Sequence, residues 1–303
     1  MIFHAPAFSC ISTFTESFML PFQTLAETVE MEGIGLHSGR QTLVRLQPRE
    51  KCGLVFVRAD LPGKPRIPAS AEHIGSTLHA TRLAFNGAEI STPEHLLAAL
   101  WSLGITHCEI EVSSPEIPIL DGSAKVWCDA IGQAGLQSLP GARPEYSLRE
   151  PIAIYSGNGA VIGLPHNSLR ITCDVEFGVP YLKPQIAVCE ITPQNFRVEL
   201  AAARTFTLES WLEPLRAQGL IRGGSTDNAL VLSEKKPSSA LRFDNELARH
   251  KALDAIGDIA LLFGEGGGVL RAHIIAIRAG HEMHRLWMRE VLNRNALIPK
   301  SEI

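Results

Sequence analysis

No block of lysine and arginine long enough to track a phosphate backbone occurs in this sequence, and its formal charge is −4 at pH 7. Nucleic acid is therefore not an expected partner. Long apolar runs are missing too: charge, glycine or proline interrupts each before it could span a bilayer, so no transmembrane helix is expected. The six cysteines, Cys10, Cys52, Cys108, Cys128, Cys173 and Cys189, contain no Cys-x-x-Cys pair. Scattered in this way they read as free thiols in a reducing compartment, and the expected location is cytoplasmic. Cys108 and Cys173 alternate in phase with apolar neighbours, as small core hydrophobes do. The first 23 residues have no Lys or Arg, which a secretory or transit peptide needs. Residues 1–23 are expected to be a disordered extension, with Met19 as an alternative start.

What is present is the composition of a globular protein: 45% hydrophobic, 20% charged, with 25 Gly and 19 Pro spread along 303 residues. That length accommodates two ordinary domains. Period-two alternation predicts strands at Gln41–Leu46, Gly53–Val57 and His107–Val112, and most cleanly at Leu169–Phe177. Helical spacing predicts helices at Pro93–Leu103 and Ala124–Ala134, then at Leu208–Gln218, Asp244–Phe263 with an Asp244 N-cap, and Glu282–Asn293. Further strands are expected at Ala229–Leu232 and Val269–Arg278. Leu136–Pro151 concentrates Pro, Gly and charge without periodicity and reads as a linker. The expected fold is α+β, with domain I at 24–140 and domain II at 146–297, each a sheet covered by helices.

Chemistry gathers on few residues. His250 and Asp254 are four apart on a predicted helix, so both project from one face and could ligate one ion; the same spacing also serves a surface hydrogen bond. Asp258 and Lys251 extend that stripe, on a helix whose Ala252, Leu253, Ala255, Ile256 and Ile259 leave little polar surface for water. In the first half, Glu94 and His95 open a helix behind Pro93, and Ser91-x-x-Glu94 also matches a capping box. Two His and one Asp suit Zn²⁺ and leave a fourth position open, with Glu94 beside them as a general base. His281 follows Gly280 near the C-terminus, where Asp258 could orient and charge it; a structural histidine is the alternative.

These residues sit in segments that resemble, in order, one family: GIGLHSG, STPEHLLAAL, PEIPILDGSA, ARTF, GLIRGGSTDNALV, LRFDNELARHKALDAIGD and RAGH. The chain is similar to the zinc-dependent UDP-3-O-acyl-N-acetylglucosamine deacetylases of lipid A synthesis from about Thr28 onward. The resemblance implies zinc ligands at His95, His250 and Asp254, a base at Glu94, and an acid at His281 supported by Asp258. It also implies an oxyanion-stabilising hydroxyl at Thr205 and substrate contacts from Phe206, Lys251 and Arg278, with Lys251 near the phosphates. The fold implied is two similar α+β domains packed face to face around the site, with an apolar passage for the acyl chain, to which Ile191–Phe206 and the strand at Ala229 could contribute. The substrate is then an acylated UDP-sugar and the expected state a monomer. An amidase acting on another acylated sugar nucleotide, and a zinc-bearing scaffold without turnover, are the rival readings. Two departures stand out: Arg278 replaces a Lys common in the family, and Phe263–Gly268 is a longer glycine-rich link, expected to be flexible.

Overall fold

Strict alternation builds the first sheet of the computed structural model, which describes residues 20–264 and 266–302. In the strand His107–Val112, Cys108, Ile110 and Val112 are fully buried, while Glu109 and Glu111 reach solvent on the opposite face. It is the middle of five strands, in the order Val29–Ile34, Gln41–Pro48, His107–Val112, Gly53–Arg58 and Arg66–Pro68. The pairing of Gly53–Arg58 with the middle strand is parallel and the others are antiparallel. Helices Glu94–Ser102 and Lys125–Ala134 bury Leu96, Leu97, Leu100, Trp127 and Ile131 in the same core. A small sheet, Ile74–Ser76, Arg82–Phe85 and Ala88–Ser91, leads directly into the first of these helices.

The second half repeats the plan. Its seven-stranded sheet is centred on Val269–Ile277, which pairs antiparallel with Gly159–Pro165 and parallel with both Arg170–Val175 and Glu145–Leu148. Helices Glu246–Ile259 and His281–Asn293 accompany it. The two halves meet through Glu94–Ser102 and Glu246–Ile259, and Leu96, Leu97 and Leu100 share one continuous core with Leu253, Ile256 and Ile259. Glycine makes the approach possible: a Cβ on Gly257 would lie 2.0 Å from the Glu94 carbonyl oxygen. This crossing brings Glu94 and His95 of one half against the polar stripe of the other.

Several expectations need correction. Leu136–Pro151 is not a linker: Leu136–Ala142 pairs antiparallel with Pro21–Leu25, and Glu145–Leu148 joins the second sheet between Val269–Ile277 and Leu297–Pro299. Pro140 and Gly141 are tolerated because the first of these strands lies in a two-stranded ribbon rather than a sheet interior. The extension expected over residues 1–23 does not hold for Pro21–Gln23, which lie in a strand; residues 1–19, with Cys10 and Met19, lie outside the described residues. The long second-half helix begins at Glu246, after Asn245 rather than at an Asp244 cap, and tightens into a 3₁₀ turn over Ala260–Phe263. The glycine-rich link behind it is held at its described residues: the Gly267 carbonyl accepts from Arg143 Nε at 3.2 Å and that of Gly268 from Trp101 Nε1 at 3.1 Å. Cys108, Cys128, Cys173 and Cys189 are buried free thiols, each pushed up to about 12 by burial.

Candidate active site

The helix Glu246–Ile259 is too apolar to turn a face to water, so its polar stripe is buried against the first half: His250, Asp254 and Asp258 are each 2% exposed. His95, one residue into the facing helix, completes a triangle with the first two. His250 Nε2 lies 3.4 Å and His95 Nε2 3.5 Å from the same Asp254 oxygen, Oδ1. Potential ligand atoms of all three lie within 4.8 Å of one another. The ring of His250 is set by a hydrogen bond from Nδ1 to the Ala203 carbonyl at 3.1 Å, which leaves the Nε2 lone pair facing the triangle. Asp254 Oδ1 is buried and has no hydrogen-bond partner among the described residues. A buried, unpartnered carboxylate oxygen beside two imidazoles is costly without a cation and natural with one, so the residues fit a divalent ion. Burial holds the His250 imidazole down at about 3, and the neutral form is the one that ligates.

Glu94 adjoins this triangle. Its carboxyl is not a cap: Ser91 Oγ instead donates to the Pro115 carbonyl at 3.0 Å, and Glu94 Oε2 is buried without a partner among the described residues. Burial raises its pKa to about 7, against the opposing pull of His281 and His95. Across the gap, His281 Nε2 is 3.9 Å from Glu94 Oε1, and His281 Nδ1 is 2.8 Å from Asp258 Oδ2. Burial alone would lower the His281 pKa, but the Asp258 carboxylate and its hydrogen bond raise it to about 9. The pair therefore offers one acceptor and one donor of protons near neutrality.

A cavity of about 570 Å³ opens on these groups. Thr205 and Phe206 line it, with Phe206 stacked edge-on 6.0 Å from His250. Lys251 also lines it, yet its ammonium is committed to Asp254 Oδ2 at 2.8 Å and lies 5.6 Å from the Phe206 ring centre. Burial opposes that charge, and Asp254 more than restores it, so the Lys251 pKa is raised. Arg278 is apart from the group: its exposed guanidinium pairs with Glu176, outside the cavity lining. The apolar end of the cavity comes mainly from the helix Glu209–Ala217, through Trp211, Leu212 and Leu215, with Ile221 and Val231. Of Ile191–Phe206, the suggested passage segment, Thr205 and Phe206 alone reach the lining; Ala229 does as well.

Sequence reasoning gave no role to two further lining residues, His37 and His79. His37 lies in the GIGLHSG loop, which Glu116 clamps by accepting from the His37 and Ser38 amides at 2.8 and 2.7 Å. The glycines flanking His37 were the available signal. Nothing local distinguishes His79.

Comparison with known proteins gives the family. The family model for UDP-3-O-acyl N-acetylglycosamine deacetylase (LpxC) matches residues 22–293. The UDP-3-O-acyl-N-acetylglucosamine deacetylase of Thermosynechococcus vestitus is 43% identical over 271 residues, covering 89% of this chain and 93% of the relative. The enzyme of the same name from Solibacter usitatus is 40% identical over 272 residues, 89% of this chain and 90% of its own, and that of Anaeromyxobacter dehalogenans 38% over 273 residues, 89% and 87%. With likeness of this depth over nearly the whole length, the chain belongs to the UDP-3-O-acyl-N-acetylglucosamine deacetylase family.

Proposed function

We propose that this chain removes the N-acetyl group of UDP-3-O-acyl-N-acetylglucosamine, giving acetate and the free amine, as a step of lipid A biosynthesis. The observation that carries the reading is the triangle of His95, His250 and Asp254, with a base and an acid on either side of one cavity. His95 and His250, through Nε2, and a carboxylate oxygen of Asp254 would hold Zn²⁺. Bound there, the ion supplies Lewis acidity, stabilising negative charge that builds on oxygen beside it.

The chain's own residues move the protons. Glu94, buried and with a free carboxylate oxygen, takes a proton from the attacking water. His281, held by Asp258 through Nδ1, gives the proton on Nε2 to the departing nitrogen, so the amine leaves neutral and the acyl group leaves as acetic acid, which gives its remaining proton to water to become acetate. The Thr205 hydroxyl donates to the oxyanion that forms as water adds to the carbonyl, and Lys251 offsets the negative charge of Asp254. Trp211, Leu212, Leu215 and Val231 offer apolar surface to the 3-O-acyl chain, and Phe206 closes over the sugar end. On this reading Arg278 meets the diphosphate by exchanging its partner Glu176 for the substrate. The chain is taken to act as a monomer, and buried thiols with pKa values raised to about 12 suit the reducing cytoplasm.

Acetate release from the acylated UDP-sugar, before and after chelation and after zinc is restored, tests the assignment. Activity should vanish with chelator and return with zinc. A panel of acyl lengths separates this substrate from another acylated sugar nucleotide: equal turnover of non-acylated substrate would remove the acyl passage from the proposal. No acetate from the zinc-loaded chain would leave the scaffold reading in its place.

A further inference from the structure

Asp258 does more than hold His281. Its Oδ2 lies 2.8 Å from Nδ1 of both His281 and His284, and its Oδ1 accepts the Thr81 hydroxyl at 2.5 Å. An ionised carboxylate can only accept, so each imidazole carries a hydrogen on Nδ1. For His281 this turns Nε2 toward Glu94. For His284, which is 1% exposed, it leaves Nε2 buried with no partner among the described residues.

That orphan nitrogen is informative. A residue kept for packing would be better replaced by an apolar side chain of similar size, which would leave no polar atom dry. A residue kept to donate from Nδ1 has no such substitute. Asp258, His281 and His284 do lie close enough to suggest a cation site. The two 2.8 Å contacts, however, have ordinary hydrogen-bond lengths, and Thr81 already occupies the other carboxylate oxygen.

We infer that His284 and Thr81 are positioning residues for deacetylation: by fixing both oxygens of Asp258 they hold its carboxylate in the one orientation that keeps His281 Nε2 aimed into the cavity. Neither touches substrate; both act through Asp258. The inference rests on the proposed role of His281 as the acid. It extends the site onto the strand–turn region ahead of Arg82–Phe85, which carries Thr81, and one turn into the helix His281–Asn293.

The test uses the zinc-loaded full chain and acetate release from UDP-3-O-acyl-N-acetylglucosamine. His284→Leu should lower kcat by about 10- to 100-fold, the range found when partners of site residues are removed. KM and bound zinc should stay unchanged in the folded variant. His284→Asn can donate from the place of Nδ1 and should recover most of kcat; His284→Gln, whose amide sits one bond further out, should not. Thr81→Val should reproduce the kcat loss with Thr81→Ser restoring it, and this pair decides the matter if His284→Leu does not fold. Native kcat in both His284→Leu and Thr81→Val, or a loss that follows the folded fraction alone, overturns the inference. If the unaltered chain itself releases no acetate, it is the function reading that fails.

Discussion

A carboxyl buried as deeply as that of Glu94 resists ionising, because a charge taken out of water loses its hydration. At about 7 it suits the role of base near neutrality that is proposed for it. Glu94→Gln keeps the shape but cannot take the proton, so kcat should fall by about 10²- to 10⁴-fold while zinc stays bound. His250→Ala removes a ligand and should lose metal and turnover together. Metal analysis alongside acetate release separates the two; native turnover in Glu94→Gln would end the assignment of the base. Helical spacing showed that His250 and Asp254 share one face of a helix with little other polar surface, but the same spacing serves a surface hydrogen bond, so it was the family resemblance that named them, with His95, as candidate ligands. Thr81 and His284 carry no such mark: they reach Asp258 from distant parts of the chain, and each alone looks like an ordinary polar residue.

At the scale of elements, the strand His107–Val112 has the bounds its alternation predicts, because burial on one face is written directly into its residues. Leu136–Ala142 was misread because its partner, Pro21–Leu25, is remote in sequence and because Pro140 and Gly141 are permitted in a ribbon that no third strand flanks. The start of the helix Glu246–Ile259 was placed early for a related reason: what organises it is tertiary. Glu246 Oε1 accepts from Arg204 N and Nε at 3.1 and 2.8 Å, and Oε2 accepts from Arg204 Nη2 and Arg242 N at 3.0 and 2.7 Å. Arg204 sits between Ala203, whose carbonyl orients His250, and Thr205, so this clamp ties the ligand helix to the segment that aims it. Burial would raise the Glu246 pKa, but Arg204 and these amides hold it below the usual carboxylate value. A depressed pKa means the stabilisation is complete above the unfolded value of about 4.3 and fades as pH falls through the lower folded value. Glu246→Gln leaves the Arg204 charge buried against an amide and should cost about 3–5 kcal/mol at pH 7. Urea denaturation at several pH values reads both effects: the variant should unfold earlier at pH 7 and lose part of the native acid dependence. An unchanged midpoint would mean that the clamp contributes nothing.

For the whole molecule, one core and one candidate ion site span both halves. Leu96, Leu97 and Leu100 pack in the same cluster as Leu253, Ile256 and Ile259, and the ligand triangle takes His95 from one half and His250 and Asp254 from the other. Neither half can leave without exposing the shared apolar surface, so the halves should unfold in one cooperative transition. A metal that binds only the folded chain adds RT ln(1 + [L]/Kd), about 2.7 kcal/mol when free zinc is 100 times its Kd. Chelation removes that term, and a chain of this size should then melt roughly 5 °C lower. The transition should remain single, because the continuous core is untouched by loss of the ion, and zinc should restore the midpoint in proportion to the logarithm of its concentration. Calorimetry of the zinc-loaded and metal-free chain distinguishes the alternatives. Two separated transitions in the metal-free chain would mean that the ion, rather than the helix crossing at Gly257, is what joins the halves; an unmoved midpoint would mean that no ion bridges them.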